Sequence, residues 1–288
     1  MAPAMTEPSD SPHRFPFGDL STPRSPRRPQ GECKAFVIGV YPSAIHVRWD
    51  LPSLASAKYG RSVAALAVAD EPTVFWDGAG EAALVAAWKQ RVGFREGDAA
   101  GEWGHVRGVG NGTSGRPVID NVLKALGIDA ADTWFTDAIN EFFVKRAGAL
   151  HRQQGDVLDA VYAPFAAEFG LPTANLPARP TPAALVALSK VDHRDRLRGE
   201  FVEAESPVVI TLGEEARRVL VGIADSATGV PLAPLAQATM HESSYGEAGR
   251  VVIGDTSALW YALAHPGNRD SYWRGLHAAW QQRRIVGP

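Results

Sequence analysis

Sulfur is scarce in this chain: one cysteine, Cys33, stands among 288 residues. That excludes an internal disulfide and any four-cysteine zinc or iron–sulfur centre. No His-Glu-x-x-His run or clustered ligand spacing occurs, so no metal site is expected. No apolar run approaches the roughly 20 residues of a membrane helix. The first thirty residues lack the apolar stretch of a signal peptide. A cytoplasmic protein without membrane contact is therefore expected. No internal repeat recurs at a fixed period. Charge of one sign is also missing, since the formal net charge is -3 and the pI near 6.2. A uniformly basic nucleic-acid coat is excluded, while a local basic groove stays open.

What is present suffices for a large core. Some 45% of the residues are hydrophobic, and the length lies where chains form one big α/β domain or split in two. Residues 1–32 hold seven of the 21 prolines together with serine and arginine. Such composition cannot offset its ordering entropy, so a disordered tail is expected over 1–32 and a folded domain over 33–288. Arg24, Arg27 and Arg28 either touch a phosphate backbone or belong to a solvated tail.

Ala35 to Ile38 is apolar on both faces, as in the middle of a covered parallel sheet. Gly39 and Pro42 break that pattern, at the strand end where open α/β sheets bind ligands. An ordinary strand-to-helix turn reads the same way. Further strands are expected over 61–69, 132–139, 207–213, 250–254 and 257–264. Helices are expected over 81–91, from Pro117 to a stop at Gly127, over 157–169, 182–205 and 214–221, and after Arg269. Ser114 is a good N-cap for the second of these. Residues 92–114 read as a glycine-rich loop, and 224–250 as a polar insertion. The expected architecture is α/β, a three-layer α/β/α domain around a central, mostly parallel sheet of about four strands.

Three strand ends carry distinctive turns: Gly39-Val-Tyr-Pro-Ser43, Phe135-Thr-Asp137 and Ala264-His-Pro-Gly267. The stretch Gly112-Thr-Ser-Gly115 opens a helix between the first two. This order resembles the uracil-DNA glycosylase superfamily over roughly residues 34–280. In that family a G-x-x-P turn follows the first strand, a G-x-x-G segment opens a helix, a strand ends in Thr-Asn, and a His-Pro-Ser loop lies near the C-terminus.

The resemblance implies hydrolysis of an N-glycosidic bond in DNA without a cofactor. An oxocarbenium-like sugar and an anionic base form, and the target base is flipped out of the stack. His265 corresponds to the residue that stabilises the leaving base, Asp137 to the one that reads the pyrimidine edge, and Tyr41 to the one that orients water. Gly39, Pro42, Ser43, His46, Asn111, Gly112, Ser114, Pro266, Asn268 and Arg269 would contact base or DNA.

The departures bear on chemistry. Tyr41 stands where many members carry Asp or Asn, and a phenol is a poor base at neutral pH. Asp137 replaces an amide, so base choice differs if its carboxylate only accepts. The aromatic that stacks on the base falls near Gly110, leaving Trp76 or Trp103 to stand in. DNA with a damaged base is the expected partner of a monomer. Two other readings stay open: a non-catalytic DNA-binding relative, and a hydrolase or transferase of free nucleosides.

Overall fold

The structure, a computed structural model, describes residues 12–146, 154–238, 244–265 and 271–286. It is α/β, with a mixed six-stranded sheet and a separate three-stranded antiparallel sheet.

The large sheet contains β1 (Ala35–Gly39), β5 (Thr133–Asp137), β6 (Val208–Leu212), β7 (Ser226–Thr228), β8 (Gly249–Ile253) and β9 (Thr256–Leu263), in the order β5-β1-β6-β9-β8-β7. The first four in that order are mutually parallel, and β8 and β7 extend the sheet antiparallel. Six strands thus replace the expected four or so. The difference comes from residues 224–250, which are no polar insertion: they supply β7 and the start of β8 and bury Leu235 in the core.

Alternation along the parallel strands separates two apolar layers. Phe36, Ile38, Trp134, Val209 and Trp260 pack against Val186, Leu197, Phe201, Val219 and Leu220 of the helices Pro182–Val191, Arg194–Ala204 and Glu214–Ile223. Ala35, Val37, Phe135, Ile210 and Leu263 face Val118, Val122, Leu123, Leu276 and Trp280 from helical residues 115–126 and the helix Ser271–Val286. Strands apolar on both faces need cover on both faces, which these helices provide.

The second sheet has the order β3-β2-β4, with β2 spanning Ala44–Asp50, β3 Val63–Asp70 and β4 His105–Gly108. Both β2 and β4 lie where no strand was expected, and β4 interrupts the glycine-rich loop. The sheet's core is aromatic and includes Trp49, Trp88, Trp103, Tyr162 and Phe165.

Residues 12–32 are not a disordered tail. Phe15 and Phe17 are buried in that aromatic core, and Phe17 adopts φ 66°, a conformation rare for residues with a side chain. Beyond them the segment runs antiparallel to the outer edge of β5, where Arg27 and Phe135 exchange backbone hydrogen bonds of 2.9 Å. Arg27 stacks on Phe135 and Arg28 on Trp134. Two phenylalanines and stacked guanidinium groups thus order a stretch whose average composition suggested otherwise.

Among the described residues no helix is long and apolar enough to cross a membrane.

Candidate functional site

A cavity of about 490 Å³ opens at the carboxyl ends of the parallel strands. Tyr41, Pro42, Ser43 and His46 line it from the turn after β1 and the start of β2, Gly213 and Glu215 from the turn after β6, and His265 from the turn after β9. Ser114 reaches it from the start of residues 115–126, although its side chain makes no capping hydrogen bond there. Tyr41, Ser43, His46, Ser114 and His265 are thereby brought together.

His265 is half-buried. Burial and then the Lys145 charge lower its pKa against the opposing charge of Glu215, so the imidazole is neutral at pH 7. Its turn is braced from both sides. The Tyr245 hydroxyl accepts from the Ala264 amide at 2.9 Å, and His277 Nε2 lies 3.0 Å from the Ala264 carbonyl.

Asp137 is 5% exposed at the end of β5, paired in register with Gly39. Arg196 does not neutralise its carboxylate directly, because Nη2 donates instead to the Asp137 main-chain oxygen at 2.8 Å. Burial pushes the carboxyl up to about 7, despite the nearby Arg196 charge. Near neutral pH Asp137 therefore holds a proton part of the time.

Glu71, just beyond β3, is a second buried acid, 4% exposed. Burial raises it to about 8, while a hydrogen bond with Ser43 pulls the other way. Ser43 links this carboxyl to the cavity. Burial also raises the Tyr41 phenol above its ordinary value, although Arg179 opposes the shift. Tyr41 keeps its proton at neutral pH.

Gly39 is a packing requirement. A Cβ there would meet Phe75 Cζ at 2.7 Å and Asp137 Oδ1 closer still. Gly112 likewise packs its backbone against Asp77 and Gly78 at φ 84°. The Asn111 amide is taken up by structure: Oδ1 accepts from the His46 amide at 2.9 Å, and Nδ2 donates to the His46 carbonyl at 2.9 Å. It thereby continues strand-like pairing at a bulge between Ile45 and His46. Glu81 Oε1 accepts from the amides of Val109, Gly110 and Asn111, which fixes the loop. Pro266, Asn268 and Arg269 lie outside the described residues.

Trp76 and Trp103 do not stand in for the stacking aromatic, because both are buried in the core of the second sheet. The rings that line the cavity are Tyr41, Phe142 and Phe143. Lys145, Arg179 and Glu215 also escaped sequence reasoning. Arg179 Nη2 donates to Glu215 Oε1 at 3.1 Å, and its guanidinium lies 5.5 Å from the Tyr41 ring centre. Among the described residues no group of three or more His, Cys, Asp or Glu side chains is arranged to hold a metal ion.

No protein-family model matches the chain, and no curated protein matches it.

Proposed function

We propose that this protein is a DNA glycosylase-like enzyme that hydrolyses the N-glycosidic bond of uracil, or of another deaminated or damaged base. The observation that carries the reading is the convergence of Tyr41, Pro42, Ser43 and His265, from two separate strand-end turns, on one cavity. The parallel order β5-β1-β6-β9, with apolar helices against both faces, supports reading the core as a three-layer α/β/α domain. The cavity's size fits a small-molecule site, as a base flipped from the stack requires.

In this reading the neutral His265 imidazole donates a hydrogen bond to the base as it departs with negative charge. Asp137 does not line the cavity, and its buried carboxyl lies behind Gly39. With its proton, near and below pH 7, the carboxyl both donates and accepts, as the family's amide does. Without it, the group only accepts. Tyr41 cannot take a proton from water at neutral pH. Glu71, linked to Ser43, holds its own proton below about pH 8, so it accepts one only in its ionised form, and turnover should rise as pH approaches 8.

The test is cleavage of labelled single- and double-stranded oligonucleotides carrying uracil, hypoxanthine or xanthine, followed by alkali. Strand breaks that disappear in His265→Ala support the reading, and intact product from every substrate overturns it. The protonated Tyr41 favours one second reading, a DNA-binding relative without turnover. A gel shift with no breaks would identify that protein. Turnover of a free deoxynucleoside alone would instead identify a nucleoside hydrolase or transferase.

A further inference from the structure

The cavity carries more positive charge than the chain around it. Lys145 and Arg179 line it against one carboxylate, Glu215, in a protein of net charge -3. Lys145 is exposed and makes no ion pair among the described residues. Arg179 is held in place between Glu215 and the Tyr41 ring, yet its Nε is enclosed and has no hydrogen-bond partner. A guanidinium offers five donors, and an enclosed donor without an acceptor is costly. The part of the Arg179 side chain that a bound molecule can reach is the 24% left exposed where it lines the cavity.

We infer that Arg179 and Lys145 form an anion subsite of this cavity, built for the phosphate of a nucleotide unit whose base lies against Tyr41, Phe142 and Phe143. The inference rests on the base-binding reading above and narrows it: the ligand is a phosphorylated nucleoside, within a strand or free, and not a bare base or nucleoside. Arginine suits this role because its planar fork matches phosphate oxygens and two neighbours already orient it.

Calorimetric titration of the full chain tests this with three probes: deoxyuridine, 2′-deoxyuridine 5′-monophosphate, and a deoxyuridine-centred trinucleotide without terminal phosphates. One of the two phosphorylated probes should bind at least about tenfold tighter than deoxyuridine, as charge-assisted hydrogen bonds allow. Preference for the monophosphate assigns a monoester, and preference for the trinucleotide a diester within a strand. The advantage should shrink in Lys145→Gln and vanish in Arg179→Gln. Unchanged deoxyuridine binding in both variants shows that the pocket is intact. Equal affinity for all three probes, no binding of any, or an advantage that survives both substitutions overturns the subsite. A phosphate advantage without base excision would keep the subsite and retire the glycosylase reading, whereas excision without that advantage would do the reverse.

Discussion

Gly39 and Asp137 face one another on adjacent parallel strands, and the Asp137 carboxylate fills the space where a side chain at position 39 would begin. The acid can sit there only because glycine leaves it room. Gly39→Ala should force Asp137 or Phe75 aside and cost about 2 kcal/mol, within the range for overpacked cores. Urea denaturation checks this, and an unchanged midpoint would show that the carboxylate relocates freely.

The two buried acids predict how stability varies with pH. Asp137 and Glu71 titrate near 7 and 8 in the folded chain, against about 4 when unfolded. Between those values the folded state binds more protons than the unfolded state, so their contribution is full below about pH 4 and declines as pH rises through 7 and 8. Asp137→Asn and Glu71→Gln should each flatten that decline. Their advantage over the parent chain at pH 8.5 should be on the order of a few kcal/mol. Parallel curves for parent and variants would contradict it.

His265 is half-buried and its turn is held by Tyr245 and His277, so its side chain is expendable for folding. His265→Ala should retain the parent melting temperature while single-turnover excision falls roughly 10²–10³-fold, the usual reach of one preorganised hydrogen-bond donor to a developing anion. Loss of melting temperature and activity together would assign His265 a structural task.

Phe17 packs on Trp49, Trp88, Phe94, Trp103 and Tyr162, and its amide donates to the Tyr162 hydroxyl at 2.6 Å. Phe17→Ala should cost about 3–5 kcal/mol. A solvated tail would show no change in thermal unfolding.

The legible parts of the fold were those with a continuous local signal. Phe36–Ile38 and Val208–Leu212 are apolar on both faces and read as buried strands without help, and Gly127 stops its helix at φ 67° as expected. β2 carried a legible signal, since Ile45, Val47 and Trp49 alternate with His46, Arg48 and Asp50 as in a half-buried strand, but the turn just before it draws the run into the loop. Composition misled over residues 12–32, since prolines outvoted two phenylalanines that carry the anchoring. At the site, Tyr41 and His265 stood out because they follow strands. Lys145 and Arg179 lie in irregular chain with no period to mark them. The burial of Glu71 depends on the long-range approach of the turn after β1, which no local pattern encodes.

The N-terminal segment also constrains the order in which the molecule is made. Its partners are far along the chain: Tyr162 lies 145 positions from Phe17, and Asn175 lies 162 positions from His13. Contacts that close such long loops form late. Residues 13–17 are thus synthesised before most of the domain but docked only after residue 175 has been made. Until residues 24–30 settle on it, β5 presents an uncovered edge, a template for pairing with another chain. The same segment that closes the finished fold leaves the nascent one open to association.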